Sequence, residues 1–572
     1  MSRPKSLRTN HWQIAPPARF EEPEKLDHYH PVLLQVLYNR GLTRAGEITS
    51  FLTRQYHKDR DPFQLADMDK AIERIQQAVD RDETIVVYGD FDADGVTATV
   101  LLVEALRGLG LHKQQVVPYI PDRVDEGYGL NFEALEAIRG RGASLVISVD
   151  CGIRSRNEVR LAEDIGLDMI ITDHHSLGAE LPPAKAVINP KRSDSSYPEE
   201  MLAGVGISFK LAQAIHTAFP DRAAFDEVKL LDLVALGTVA DLVPLIGENR
   251  VLVAGGLEVL NRCKRPGIEA LVEVSGLKPG NITSESIAFG LGPRINAAGR
   301  LSHAYDAARL LAASERQAAQ QYAKELNRLN RVRQQITIQL YEKAKELINP
   351  EDMVMFAADT DFVAGVVGLV ASRLADQYYR PAIVVEQGPE ESRGSCRSIP
   401  GFHITEALDG VEDLLERHGG HAQAAGFTIR NENLEEFQIR INEYASSKLD
   451  EQDLKPSIPI DADVNLADVD WALHDVLAEL EPTGNANARP IFVSRNVHVF
   501  SHRAVGQDGA HLQLWVGDSQ TKHGCIAFRQ GAWDATLPEQ IDLVYTLGVN
   551  EWNGRRDLQL VVQDIQEASP QS

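Results

Sequence analysis

Val86-Val87-Tyr88-Gly89-Asp90-Phe91-Asp92-Ala93-Asp94-Gly95-Val96-Thr97 is the stretch from which the fold of this chain can be read. An apolar run gives way to alternating carboxylates at Asp90, Asp92 and Asp94, and a helical pattern begins at once. Alternating Asp inside a strand would bury charge on one face. At the end of a strand it aims several carboxylates at one spot, and such a spot repels itself at neutral pH unless a cation sits in it. The plainer alternative is an acidic turn capping the next helix through Asp94, since Asp is a good N-cap. The stretch alone leaves both open.

Outward from it, strand and helix patterns alternate. Strands are expected at Thr84–Tyr88, 115–119, 144–149 and 169–172, with helices over 95–107, 132–138 and 156–165 between them. That alternation implies right-handed βαβ units and a parallel sheet, with ligands gathered at the carboxyl ends of its strands. The later strands end in Pro121-Asp122-Arg123, Asp150-Cys151-Gly152 and Asp173-His174-His175. Helix caps and turns account well for Asp122 and Asp173 singly. They account poorly for every consecutive strand end carrying a carboxylate, a histidine or an arginine. Asp241 is a lone charge in the apolar stretch 236–245. It needs a cation or several donors, and metal ligation and a satisfied structural Asp both remain open for it.

Read together, Gly89-Asp-Phe-Asp-Ala-Asp-Gly95, Asp150-Cys-Gly152, Asp173-His-His175 and Gly237-Thr-Val-Ala-Asp241 resemble, in order, the signature motifs of the DHH phosphoesterase superfamily. The bacterial RecJ branch is closer still. Pro121-Asp-Arg-Val-Asp-Glu-Gly-Tyr-Gly129, Gly292-Pro-Arg-Ile-Asn-Ala-Ala-Gly-Arg-Leu301 and Gly419-Gly-His-Ala-Gln-Ala-Ala-Gly-Phe427 look like its further motifs. The resemblance spans roughly residues 60–570. It implies a single-stranded-DNA-specific 5′→3′ exonuclease using Mn²⁺ or Mg²⁺, releasing 5′ mononucleotides in DNA repair and recombination.

Phosphodiester hydrolysis needs a nucleophilic water, charge neutralisation and leaving-group stabilisation, which a pair of divalent ions can supply. Asp92, Asp94, Asp150, His174 and Asp241 form a fitting ligand set, and the resemblance implies the same positions. Asp150 is the expected bridge. Asp90 is either a direct ligand or an acceptor behind the ligands. Oxygen-rich donors with one imidazole suit Mn²⁺ and tolerate Mg²⁺. His175 could bond the scissile phosphate or protonate the leaving oxygen; a neutral core histidine is the alternative. Arg123 reaches the same sheet edge and could grip a phosphate bidentately. Arg294 and Arg300 flank Asn296 in a Gly-rich segment expected not to be a regular helix. The resemblance suggests that one of these arginines binds the terminal 5′ phosphate.

Residues 304–348 read as one long helix or a helical pair. Over 294–333 there are eight Lys/Arg against three acids, a local excess that could line a DNA channel or form a solvated basic face. A second, smaller α/β domain follows, with strands at 354–357 and 382–385 around a helix at 363–377. Ser392-Arg-Gly-Ser-Cys-Arg-Ser398 reads as a donor-rich loop suited to phosphate. With His421 it resembles the DHH-associated domain, which implies substrate contacts for Ser395, Arg397 and His421. After Lys455-Pro456 several short strands follow, with a hairpin expected at Asn553-Gly554, and a small oligonucleotide-binding barrel fits. Trp515, Phe528, Trp533, Tyr545 and Trp552 offer stacking faces, and Arg503, Lys522, Arg529, Arg555 and Arg556 offer charge; most of the five aromatics are expected in the core.

The expected division is a helical extension (1–60), a phosphoesterase domain (61–303), a connecting helix (304–350), a DHH-associated domain (351–452) and a barrel (455–572). A net charge of −25 requires any anionic partner to find a local basic strip or bound cations. The four cysteines are scattered without a CxxC pair, which argues against structural zinc and a disulfide framework. No secretory signal or spanning run is seen, so a reducing cytoplasm, a monomer and no membrane are expected. The acidic surface suits docking on a helicase or single-strand-binding protein, though no stretch specifies either.

Overall fold

Thr84–Tyr88 forms a strand because its β-branched residues fit a pleated, buried surface. In the computed structural model, which describes residues 10–54, 60–123, 125–450, 453–518, 521–552 and 554–568, this strand lies inside a five-stranded sheet. The order is Val116–Tyr119, Thr84–Tyr88, Ala143–Val149, Asp168–Thr172, Ala186–Ile188, with every pairing parallel. The chain leaves Thr84–Tyr88 to one side for Val116–Tyr119, then returns to its other side for Ala143–Val149. That reversal opens a crevice beyond the carboxyl ends of Thr84–Tyr88 and Ala143–Val149, the usual ligand position in such sheets. Ala186–Ile188, too short to show a period, is absent from the strands expected from sequence.

The helix after the first strand, Ala93–Arg107, is buried along nearly its whole length. It packs against helices Gly204–Ala218 and Glu227–Ala240, which explains its almost continuous apolar composition. These elements belong to a unit running from Arg54 to Leu449. Its second sheet has the order Leu415–His421, Ala424–Arg430, Glu391–Arg397, Ala382–Gln387, Met355–Asp359, and only the last pair is parallel. Helices Tyr305–Leu311 and Arg316–Leu347 form the expected helical pair.

Two expected irregular segments are regular. Residues 292–301 form a helix, Gly292–Leu301, continuing from a π-helical turn at Ile287–Leu291. Pro293 follows that turn directly, where the π-type ladder already interrupts regular α-helical bonding. Gly299 is required by a close approach, since a Cβ there would lie 2.6 Å from the Phe91 carbonyl oxygen. Residues 392–398, expected as a loop, lie largely on strand Glu391–Arg397. Its inward residues, Ser392, Gly394 and Cys396, are small rather than apolar, so the strand's alternation carries little hydropathy signal. Gly419, Gly420 and His421 likewise end a strand.

The other unit comprises Met1–Thr53 and Asp450–Ser572. Five strands close into a barrel in the order Phe492–Val505, His511–Gly517, Lys522–Ala527, Arg555–Glu567, Gln540–Trp552, the last pairing back to the first. Val549 pairs with Leu558 across the expected hairpin; Asn553 lies outside the described residues. The N-terminal segment joins this unit: His11–Ile14 pairs with Ser457–Ile460, and Leu33, Val36, Leu37 and Ile48 share a core with Leu512, Leu514 and Tyr545 of the barrel. Among the described residues no helix is long and apolar enough to cross a membrane.

Candidate active site

Two of the three acidic residues at the first strand's exit have distinct local jobs. Asp92 caps helix Ala93–Arg107, its Oδ1 accepting from the amides of Asp94 (2.9 Å) and Gly95 (3.1 Å). Asp94 sits in the first turn but reaches a different helix, accepting from Gly204 N (2.7 Å) and Val205 N (2.8 Å). It therefore serves as the cap of helix Gly204–Ala218, whose own N-cap residue, Ala203, has none to offer. Asp150 follows strand Ala143–Val149 with a left-handed backbone, φ 63°, a conformation that non-glycine residues hold only under constraint. Gly204 leaves room for it; a Cβ there would stand 2.6 Å from Asp150 Oδ1. His174 follows strand Asp168–Thr172, and Asp241 ends helix Glu227–Ala240.

These side chains converge. Asp150, His174 and His175 form one group whose ligand atoms lie within 4.8 Å of one another; Asp94, His174 and Asp241 form a second; Asp90, Asp92 and Asp150 a third. His174 Nε2 is 3.2 Å from Asp150 Oδ1 and 3.6 Å from Asp241 Oδ2. Asp90 Oδ1, Asp150 Oδ1 and His174 Nε2 are buried without a hydrogen-bond partner among the described residues. Orphaned buried polar atoms are costly, and three pointing into one acidic cluster fit a divalent cation. With no cation, burial and the neighbouring carboxylates push Asp94 up to about 7 and Asp241 up to about 9. Asp90 and Asp150 rise well above the carboxylate range for the same reasons. Burial, with the charge of His175, lowers His174 to about 3, so it stays neutral and its Nε2 lone pair is available to a metal.

His175 has a different setting. Its Nδ1 lies 2.7 Å from Asp173 Oδ1, while Asp173 also accepts from the amides of His175 (3.0 Å) and Ile153 (2.9 Å). Burial alone would lower the His175 imidazole, but the hydrogen bond and charge of Asp173 outweigh it and hold the imidazole above its usual range. Two neighbours escape sequence reasoning. The Tyr128 hydroxyl lies 3.1 Å from His175 Nδ1 and 3.4 Å from the Asp150 carbonyl oxygen, and Lys191 Nζ donates to the His174 carbonyl. Tyr128 stood inside a motif quoted for its arginine; Lys191 carried no local signal.

Beside the acidic cluster lies a cavity of about 200 Å³ lined by Arg123, Ala364, Gly365, Val367, Arg393, Gly394 and Ser395. Arg123 stacks its guanidinium 4.6 Å from the centre of the Phe91 ring, tying this cavity to the Asp90–Asp92 turn. Ala364 and Gly365 open helix Ala364–Tyr378, an end that favours anions. Arg300 donates to the Gly365 carbonyl (2.9 Å). Burial, then the charges of Arg123, Arg333 and Arg397, bring Arg300 down to about 9. Arg397 donates to Ser395 Oγ (3.3 Å) and the Cys396 carbonyl (2.7 Å). His421 lies close enough to His175 for burial and that imidazole's charge to lower its pKa.

Two expected substrate residues point elsewhere. Asn296 Oδ1 accepts from Ala93 N (2.7 Å) and so fixes the acidic turn. Arg294 donates to the Gly290 carbonyl (2.6 Å) and to Asn327 (3.1 Å). The basic excess of 294–333 is partly spent: Arg309, Arg316 and Arg328 pair with Asp306, Glu269 and Glu325. On the barrel, Trp533 and Tyr545 are buried, whereas Trp515 (43% exposed) and Phe528 (56%) are not. Two of the five aromatics are therefore in the core and two are not, Trp515 on a strand and Phe528 in the turn after one; the Trp552 side chain, on which the expected majority turns, lies outside the described residues. Lys522 Nζ sits 5.4 Å from the Trp515 ring centre and 5.2 Å from that of Phe500.

Comparison with known proteins agrees with this geometry. The profile of the DHH family, N-terminal domain, matches residues 84–238, that of the DHHA1 domain residues 351–447, and that of the RecJ OB domain residues 460–564. The single-stranded-DNA-specific exonuclease RecJ of Bacillus subtilis (strain 168) is 37% identical over 562 residues, covering 97% of this chain and 70% of that protein. The crystal structure of RecJ in complex with Mn²⁺ from Thermus thermophilus superposes with a TM-score of 0.83 at 30% identity, covering 98% of this chain and 80% of that one. The Mg²⁺ complex from the same organism gives 0.79 at 28% identity, over 98% and 79%. With domain matches in this order and identity of this extent, the chain belongs to the RecJ family of DHH phosphoesterases.

Proposed function

We infer that this chain is a metal-dependent exonuclease that hydrolyses single-stranded DNA from its 5′ end and releases 5′ mononucleotides. The observation that carries this is a buried, self-repelling carboxylate cluster with orphaned ligand atoms, joined through Phe91 to an arginine-lined cavity. Asp90, Asp92, Asp94, Asp150, His174 and Asp241 would hold two Mn²⁺ or Mg²⁺ ions, with Asp150 the shared ligand. When bound, the ions supply a nucleophilic water at neutral pH and neutralise charge on the phosphate.

The chain's own residues do the rest. Arg123 and Ser395, with Arg300 and Arg397 beside them, bind the 5′-terminal phosphate and so fix the register of the scissile bond. Asp173 accepts the Nδ1 proton of His175 in a hydrogen bond, fixing the ring and favouring its protonated form. His175 can then donate a proton to the leaving 3′ oxygen or bond the scissile phosphate. His421 bonds the phosphate from the opposite sheet. Asn296 holds the turn that carries Asp92 and Asp94. Arg294, whose side chain is tied to Gly290 and Asn327, supports the site by anchoring helix Gly292–Leu301 against helix Arg316–Leu347.

Exposed Trp515, Phe500 and Phe528 offer sequence-tolerant stacking faces for single-stranded DNA. We take the enzyme to work as a monomer in the cytoplasm on repair and recombination intermediates, receiving strands from a helicase or a single-strand-binding protein. The deciding experiment is a time course on 5′-labelled and 3′-labelled oligonucleotides with Mn²⁺ or chelator. Immediate release of labelled mononucleotide from the 5′ end, abolished by chelator, is expected. Binding without cleavage in any metal, or cleavage of only very short oligomers, would overturn the assignment.

A further inference from the structure

Helix Gly247–Asn261 packs on helix Glu227–Ala240, which ends at Asp241, and its first turn is built of buried polar residues. Asn249 is 1% exposed and donates from one amide nitrogen to two carbonyls, those of Met201 (2.5 Å) and Pro244 (3.1 Å). Both partners are acceptors, so the orientation of the amide is fixed, and its Oδ1 is buried without a partner among the described residues. Met201 stands just before Gly204 and Val205, whose amides hold both oxygens of Asp94. Pro244 stands just after Asp241, across Leu242, which is held at φ 60°.

The neighbouring residue ties the same segments. Glu248 is buried, pairs with Lys210 Nζ on helix Gly204–Ala218 (2.5 Å) and accepts from the Tyr197 hydroxyl. Its own amide donates to Glu199 Oε2 (2.9 Å). One of these links reaches helix Gly204–Ala218, whose first amides hold Asp94, and two reach the segment leading into it; Asn249 adds a reach to the loop after Asp241.

We propose that Asn249 is a positioning residue for the metal centre: by bridging the Met201 and Pro244 carbonyls it sets the spacing of Asp94 and Asp241, and hence the affinity for the divalent ion. This rests on the metal-binding part of the function inferred above, but not on the substrate. Groups that orient metal ligands change affinity by about 10–100-fold when lost.

The test is calorimetric titration of the full chain with Mn²⁺ alone, with the thermal midpoint in chelator measured beside it. Asn249→Leu keeps the branched skeleton and removes both N–H donors; Asn249→Ser retains a single donor on a shorter side chain. The expected result is Mn²⁺ affinity weakened about 10–100-fold for Asn249→Leu and less for Asn249→Ser. Exonuclease activity should then need correspondingly more Mn²⁺, with kcat largely recovered at saturation. Unchanged Mn²⁺ affinity with only a lowered midpoint would overturn the proposal. If Asn249→Leu does not fold, Asn249→Ser decides alone: wild-type affinity in it would overturn the proposal. Wild-type Mn²⁺ binding without DNA cleavage would instead count against the inferred exonuclease and leave the positioning role standing.

Discussion

His174 Nε2 and Asp150 Oδ1 stand 3.2 Å apart, both buried, and neither has hydrogen-bond geometry to the other or to any partner among the described residues. Two ligand atoms held this close with no hydrogen bond between them fit a shared cation. Asp150→Asn or His174→Ala should therefore abolish hydrolysis, by about 10³-fold or more, while single-strand binding through the arginines and the barrel persists. Product release and fluorescence anisotropy measure the two separately. Retained turnover in either variant would contradict the assignment.

The same cluster gives a pH dependence whose sign can be worked out. Asp94 and Asp241 are raised, to about 7 and about 9, in the metal-free protein. A raised folded-state pKa contributes stability that is full below the unfolded value of about 4 and is lost as pH rises through the folded one. In chelator the melting temperature should fall between about pH 5 and pH 9. Saturating Mn²⁺ should remove that slope, because it favours the ionised carboxylates. Mn²⁺ binding near pH 7 should release protons, visible as a buffer-dependent binding enthalpy.

Asp173 and His175 give a third expectation. Asp173→Asn removes the charge that raises the His175 imidazole, so its pKa must fall. If His175 is the proton donor, kcat should drop by about 10²-fold and the alkaline limb of its pH profile should move to lower pH. An unmoved limb would leave His175 a phosphate-binding role only.

A fourth concerns the cavity. Arg123→Ala should raise KM for 5′-phosphorylated oligonucleotides by about 10–100-fold, as expected when a charge-assisted pair is lost. A 5′-hydroxyl substrate, which gives the guanidinium no terminal phosphate, should be affected far less. Equal effects on both substrates would place Arg123 elsewhere along the backbone.

What could be read from the sequence followed from short-range periodicity and from chemistry too concentrated to be accidental. The strand ends carrying Asp90, Asp150 and His174 were visible because β-branched runs stop abruptly at charged residues. The helix Gly292–Leu301 was not, because Gly299 breaks helix propensity for a reason located at Phe91, some two hundred positions away. Asp241 remained ambiguous for the same kind of reason, since its partners His174 and Asp94 come from other elements. The joining of Leu33 and Val36 to the barrel core is likewise a long-range fact that no local pattern announces. Arg393 was passed over because strand Glu391–Arg397 buries serine, glycine and cysteine, residues that look like a loop.

The barrel carries the last prediction. Trp515 is 43% exposed and Phe500 44%, with Lys522 near both rings, whereas Tyr545 is sealed in the core with its hydroxyl 3.0 Å from Ser494. Large exposed rings beside a cation suit base stacking, worth about 1–3 kcal/mol per base. Trp515→Ala should then weaken binding of a long single strand by about 5–150-fold. The rate of cleavage at saturating strand should be unchanged. Tyr545→Phe should do the reverse, costing about 1 kcal/mol of stability for the lost hydrogen bond and leaving affinity alone. If Trp515→Ala binds long strands as tightly as the parent, the exposed rings serve something other than DNA.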